Sequence, residues 1–241
     1  MLPTQLCVTV AALFSLLLSL PGFAKTGPQQ NFRSAKRELV RLYQQHPQIP
    51  TFYCRAPISW QGKKGIPELK EIGYKVRKQQ KRANRIEWEH VMPAYWFGHQ
   101  LKCWQQGGRK ACEKHSARFR QMEGDMHNLV PSIGEVNGDR SNYRYSDWQG
   151  PSMYGRCEMA IDFKRKQARP PRYTHGFIGR DYLYMQQRYG IKLSKSQMKM
   201  MQAWAQQAPS SWECQQNKLI TKLQGNDNPF VTRACHKIGL G

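Results

Sequence analysis

Apolar side chains recur at helical spacing from Asn31 to Gln45, where Phe32, Ala35, Leu39, Leu42 and Tyr43 share one face and Pro47 lies just beyond. The pattern then shortens. Thr51 to Cys54 reads as a short strand, and Gln61-Gly62-Lys63-Lys64-Gly65 as a turn. From Lys70 to Arg85 basic side chains crowd out long apolar ones, which predicts an exposed basic surface. Ile86, Trp88 and His90 alternate with Glu87, Glu89 and Val91, the period of a strand. Pro93 should stop that strand and open a helix running to about Gln105, closed by Gly107-Gly108.

Met126 to Val130 predicts a second strand. Ser132 and Glu135 have the spacing of a capping box, so a helix should begin at Ile133 with Asn137 in its second turn. Cys157 to Phe163 reads as a strand with Met159, Ile161 and Phe163 on one face, followed by a basic loop from Lys164 to Arg172. Three helices should follow: Thr174 to Tyr189, Ser194 to Ala208 and Ser211 to Gln224. Capping boxes at Ser194 with Gln197 and at Ser210 with Glu213 start the last two. Met198, Met201, Trp204, Ala205 and Ala208 form an apolar stripe that reads as core. Neither an internal repeat nor a low-complexity linker interrupts residues 25–241, which predicts a single domain.

The first 24 residues of this 241-residue chain carry no charged side chain. Leu6 to Leu20 has the length of a signal-peptide core rather than of a membrane span, and Gly22-Phe23-Ala24 is a small-x-small cleavage signal. Residues 1–24 are therefore expected to be removed, giving a periplasmic or secreted protein with no membrane attachment. Of seven cysteines, Cys7 leaves with that segment. The other six (Cys54, Cys103, Cys112, Cys157, Cys214 and Cys235) are expected to form three disulfides, and the count leaves their pairing open. No C-x-x-C spacing suggests a zinc finger.

Net charge is +22, with 38 Lys and Arg against 16 acidic residues. Solubility asks for far less, so the excess points to a polyanion, and phosphates accept sequence-independent contacts from scattered cations. Hydrolysing a phosphodiester requires a base for water, charge to meet the transition state and stabilisation of the leaving oxygen. His90 suits the first task, Glu89 with Asn137 could hold a hard cation that keeps much of its water, and Arg109 could fork onto a phosphate. One geometric tension stands against this set. In a regular strand Glu89 and His90 point to opposite faces, so they serve one site only if the strand ends or bends there.

Several blocks together resemble the bacterial endonuclease I family: Glu87-Trp88-Glu89-His90-Val91-Met92-Pro93-Ala94, Phe97-Gly98-His99-Gln100, Cys103 to Arg109, Met126-His127-Asn128-Leu129 and Pro131 to Arg140. The likeness continues through Tyr154-Gly155-Arg156-Cys157, Asp162-Phe163-Lys164 and Gln224-Gly225-Asn226 to Cys235. The resemblance implies a helix-rich α+β domain with a ββα-metal (His-Me finger) core, and a sequence-nonspecific endonuclease. Its implied substrates are double- and single-stranded DNA, and RNA. By position it implies His90 as general base, Glu89 and Asn137 as ligands of one Mg²⁺ (with Mn²⁺ or Ca²⁺ as other possible occupants), Arg109 on the phosphate, and Glu123 helping to place His90. A monomer is expected.

The chain departs from the family at its cysteines, with Cys54-Arg55-Ala56 where relatives have Cys-x-Cys and Ile72 where they have another Cys. By analogy the bridges are expected to be Cys103–Cys112, Cys157–Cys214 and Cys54–Cys235. The competing class is a non-catalytic DNA- or polyanion-binding protein, which the charge fits equally well. A zinc peptidase is disfavoured by the lack of H-E-x-x-H.

Overall fold

The computed structural model describes residues 31–241, so the expected leader lies outside the described residues. In chain order the elements are α1 (Phe32–Gln45), β1 (Ile58–Gln61), β2 (Lys64–Pro67), α2 (Gln80–Ala83), β3 (Ile86–His90), α3 (Ala94–Gly98), α4 (Lys102–His115), α5 (Ala117–Glu123), β4 (Leu129–Ile133), α6 (Gly134–Arg140) and β5 (Arg144–Tyr145). Then come β6 (Ala160–Asp162), β7 (Gln167–Arg169), α7 (His175–Tyr189), α8 (Lys195–Trp204), α9 (Ser211–Gln224) and α10 (Pro229–Lys237). The class is α+β, with small sheets embedded among helices.

Helix α1 follows from its pattern. Asn31 caps it, accepting from the Ser34 amide, and Ala35, Leu39, Leu42 and Tyr43 are buried along one face. That face packs with Met126, Leu129 and Ile220 in a small core of its own. The larger core joins Val91, Met92, Phe97, Phe119 and Met122 to Ile133, Val136, Tyr182, Met185 and Met201. β3 and β4 form an antiparallel pair in which Ile86 faces Ile133 and His90 faces Leu129, and α6 follows β4 directly. Strand, strand and helix thus appear in the expected order. Elsewhere β1 and β2 form a hairpin, and β7 lies between β5 and β6. Among the described residues no helix is long and apolar enough to cross a membrane.

Several local expectations fail for identifiable reasons. Thr51 to Cys54 is a turn, because the Thr51 amide donates to the Ala56 carbonyl at 2.9 Å and its hydroxyl accepts from the Ala56 amide at 2.9 Å. The helix expected from Pro93 to Gln105 is broken into α3 and the start of α4. Gly107-Gly108 is a kink inside α4 rather than its end, with Gly108 at φ 64°. Ser132 makes no capping box; it is a residue of β4, and α6 begins without a side-chain cap. Glu135 instead accepts from the Tyr74 hydroxyl and from the amides of Arg77, Lys78 and Gln79. The second strand starts at Leu129 rather than Met126, because Asp125 caps a short 3₁₀ turn over Met126–Asn128. Only Ala160 to Asp162 of the Cys157–Phe163 segment is strand, and Phe163 is exposed. Part of the expected Lys164–Arg172 loop is β7, and α10 is a further helix beyond the three expected. Helices α7 and α9 lie close to their expected limits.

The bridges are Cys54–Cys157, Cys103–Cys112 and Cys214–Cys235. Only Cys103–Cys112 matches the expected pairing; Cys157–Cys214 and Cys54–Cys235 are corrected. Bridging requires Cα atoms within about 7 Å. Packing brings Cys54 within 4.8 Å of Cys157, and α10 folds back on α9 to place Cys235 at 5.8 Å from Cys214. If loop entropy governs the stabilisation, the bridge closing the longer loop counts for more. Denaturant unfolding of Cys54→Ala/Cys157→Ala should show a loss of about 4–5 kcal/mol, against about 3 for Cys214→Ala/Cys235→Ala. The reverse order would rule out that account.

Candidate active site

β3 ends where the sequence requires it to. Val91 leaves the ladder with its amide on the Asn128 carbonyl at 3.0 Å, and the Asn128 side chain grips both the amide and the carbonyl of Met92. From α6, Arg140 donates to the carbonyls of His90 at 2.9 Å and Val91 at 2.6 Å. The strand exit is held from two sides, and Glu89 and His90 both border one cleft of about 710 Å³. Arg109 and Asn137 line the same cleft, as do Lys36, Arg82, Glu87 and Arg140. Of the five residues singled out in the sequence, four therefore meet there. Glu123 is not among the lining residues and stands behind them.

His90 is 8% exposed and sits against the Phe32 ring, their centroids 4.7 Å apart. Its Nε2 lies 2.8 Å from the Glu123 main-chain carbonyl. A carbonyl can only accept, so Nε2 carries the proton and Nδ1 keeps its lone pair. Burial drives the imidazole pKa down to about 3, aided by the positive charge of Arg109, while the Glu123 carbonyl opposes the shift. His90 is thus a neutral imidazole in a fixed tautomer. The help expected from Glu123 comes through its backbone.

The Glu123 carboxylate has a different partner. It accepts from Arg109 Nε at 2.6 Å, and Glu113 accepts from the same nitrogen at 3.1 Å. Burial pushes Glu123 up to about 7 against the pull of Arg109. Arg109 follows the Gly107-Gly108 kink, inside the loop that Cys103–Cys112 closes. Its guanidinium is 43% exposed, and its two Nη groups make no protein hydrogen bond among the described residues. A forked pair of donors is thereby left facing outward.

Glu89 is 2% exposed. One carboxylate oxygen, Oε1, accepts from the Tyr53 hydroxyl at 2.9 Å and lies 3.0 Å from Arg140 Nη1. Burial raises its pKa to about 7 even though Arg140 and Tyr53 favour the charged form. Asn137, on α6, donates its Nδ2 to Glu87 Oε2 at 2.8 Å. Glu89 Oε2 and Asn137 Oδ1 have no protein partner among the described residues.

These two oxygens suit a hard divalent cation. Two protein oxygens would leave most of a bound ion's coordination to water, which Mg²⁺ prefers; no cluster of three or more His, Cys, Asp or Glu side chains suited to a metal occurs among the described residues. Glu87, Arg82, Arg140 and Tyr53 are the parts of this site that sequence reading missed. Glu87 had one readable signal: two positions before Glu89 in a strand, it shares the same face. Burial raises the Glu87 carboxyl, but hydrogen bonds from Arg82, Arg85 and Asn137 outweigh that and hold it below the usual carboxylate range.

Known proteins align with this chain over nearly its whole length. The family model for Endonuclease I matches residues 27–235. An extracellular deoxyribonuclease of Aeromonas hydrophila is 58% identical over 222 residues, covering 91% of this chain and 94% of the relative. A periplasmic deoxyribonuclease of the same organism is 54% identical over 224 residues, covering 92% of each. Endonuclease-1 of Buchnera aphidicola subsp. Acyrthosiphon pisum (strain APS) is 47% identical over 210 residues, covering 86% of this chain and 83% of the relative. The β3–β4–α6 arrangement around Glu89, His90 and Asn137 is thus that of a His-Me finger nuclease, and the chain belongs to the Endonuclease I family.

Proposed function

We propose that this protein is an exported, sequence-nonspecific endonuclease. It hydrolyses phosphodiester bonds of double- and single-stranded DNA, and of RNA, with one Mg²⁺ held by Glu89 and Asn137. The observation that carries the reading is the bond from His90 to the Glu123 carbonyl, in a cleft shared with two unpartnered oxygens and an outward-facing guanidinium. The names of the relatives support both the substrate and the export.

Each side chain has a task that its surroundings allow. His90 Nδ1 accepts a proton from a water molecule on the cleft side, while Nε2–H on Glu123 fixes the ring and spreads the new charge onto a carbonyl dipole. Arg109 donates to non-bridging phosphate oxygens, and Glu123 and Glu113 anchor its Nε so that the fork stays presented. Lys36, Arg82 and Arg140 add positive charge along the cleft and favour a phosphate backbone over a neutral ligand. A bound Mg²⁺ would supply charge to the scissile phosphate and the leaving oxygen. Backbone contacts of this kind carry no base information, which accounts for cutting without sequence preference.

Plasmid DNA should be cut with Mg²⁺ and left intact with EDTA. DNA that is shifted but uncut under every divalent ion tested would instead identify a binding protein. His90→Ala should lower kcat by about a hundredfold or more, while affinity for DNA measured in EDTA stays near that of the wild type. Turnover close to wild type in that variant would remove His90 as the base.

The pH profile offers a separate check. An unburied histidine is neutral at pH 7.5 and mostly protonated at pH 5.5, losing about tenfold of its basic form over that interval. His90 titrates near 3, so its basic form persists through the interval. With metal saturating, the part of the kcat profile that His90 sets should therefore change by less than about threefold between those pH values, read in a Glu123→Gln background. Glu123 titrates near 7 and anchors Arg109, so an acid loss that persists in Glu123→Gln, where that carboxylate cannot titrate, would mean that burial does not set the His90 pKa. For export, the amino-terminal sequence of protein recovered from the periplasm or medium should begin at Lys25, and retention of residues 1–24 would refute cleavage there.

A further inference from the structure

An amide ligand has a problem that a carboxylate lacks. The two ends of an asparagine side chain have nearly the same shape, and rotation about the last bond exchanges them. Asn137 serves a cation only with its oxygen forward. Here the back of the amide meets Glu87 Oε2 at 2.8 Å, and an ionised carboxylate accepts but does not donate. The NH₂ end must therefore face Glu87, which leaves Oδ1 toward the cleft.

Glu87 is itself clamped. Its Oε1 accepts from Arg82 Nε at 3.0 Å and from Arg85 Nε and Nη2 at 2.9 and 2.7 Å, and Arg82 Nη2 holds Oε2. α6 carries glycines where it faces this clamp. A Cβ on Gly134 would lie 3.0 Å from Glu87 Cγ and Cδ, and one on Gly138 would land on the Arg82 guanidinium. Gly134 and Gly138 are four residues apart and so share a helix face, which lets the carboxylate and guanidinium sit directly against the turn that carries Asn137.

We propose that Glu87 is a positioning residue for the metal site, fixing the Asn137 amide with its oxygen toward the cation while Arg82 and Arg85 fix Glu87. The inference rests on the reading of Asn137 as a metal ligand. It makes a specific claim about an isosteric change. In Glu87→Gln only one oxygen remains, and the Oε1 position, ringed by three guanidinium N–H groups, takes it. The new NH₂ then faces Asn137, whose amide must turn its oxygen backward and present NH₂ to the cleft.

The test is a Mn²⁺ titration followed by electron paramagnetic resonance on the mature, disulfide-intact protein. Glu87→Gln should weaken Mn²⁺ by about ten- to a hundredfold in protein whose cooperative thermal melt shows it folded. Adding Asn137→Asp should restore most of the affinity, because aspartate offers an oxygen on both sides. Gly138→Ala, which leaves Glu87 and its charge in place but forces Arg82 aside, should weaken Mn²⁺ as well, so the idea stays testable if Glu87→Gln folds poorly.

Glu87→Gln binding Mn²⁺ within about twofold of wild type would overturn the proposal, since a support for a ligand is worth about tenfold or more. So would a Glu87→Gln/Asn137→Asp protein that is folded yet as weak as the single variant. Asn137→Ala separates the two levels. If it binds Mn²⁺ normally, the metal-site reading falls and takes this proposal with it. If it loses Mn²⁺ while Glu87→Gln does not, the metal site stands and only the role of Glu87 falls.

Discussion

A guanidinium with no solvent exposure holds the active strand in shape. Arg140, at the end of α6, binds the carbonyls of His90 and Val91 and lies beside the Glu89 carboxylate, with the Tyr145 ring 4.4 Å away. Burying such a charge is costly unless its partners are well placed, and an uncompensated partner left behind costs still more. The group therefore ties three things into one unit: the end of β3, the ionisation of Glu89 and the position of α6. Glu89 and His90, neighbours on that strand, border the same cleft beside it. Arg140 Nε has no hydrogen-bond partner among the described residues, and the compensation there runs through the two terminal nitrogens.

Around that unit the same cleft pushes its ionisable groups in opposite directions, and burial against pairing decides each sign. Glu87 has three hydrogen-bonding partners and is held low, whereas Glu89, almost fully buried, rises to about 7 beside a single guanidinium. His90 falls because burial and the Arg109 charge both disfavour a cation. The outcome is a neutral imidazole beside two oxygens that are unpartnered among the described residues, all within one cleft. A net positive charge attracts polyanions over a distance set by salt, whereas charges inside the cleft are screened less.

Support from behind is the recurring theme of the site. Glu123 holds His90 with its backbone and Arg109 with its side chain, so one residue links the imidazole and the guanidinium. The Cys103–Cys112 bridge closes the kinked segment from which Arg109 projects. Glu87 stands in the same relation to Asn137. In each case the group that would meet the substrate or ion is fixed by another that does not touch it, which is what preorganised catalysis requires.

The sequence by itself determined the parts that local physics controls. The apolar face of α1, the serine caps of α8 and α9, the alternation of β3 and its stop before Pro93 all formed close to where the pattern put them. Glu89, His90, Arg109 and Asn137, which the family likeness singled out, also line one cleft. Tertiary structure decided the rest. Ser132 has the spacing of a cap but is taken up in β4, since pairing with Glu87 across the ladder outcompetes a single side-chain bond. Cys54 bridges to Cys157 rather than Cys235 because pairing depends on distance in space. The pKa of His90, the tautomer it adopts and the hydrogen bonds that clamp Glu87 also lay beyond the sequence. Each depends on which groups from distant segments enclose the side chain, and spacing along the chain does not encode that.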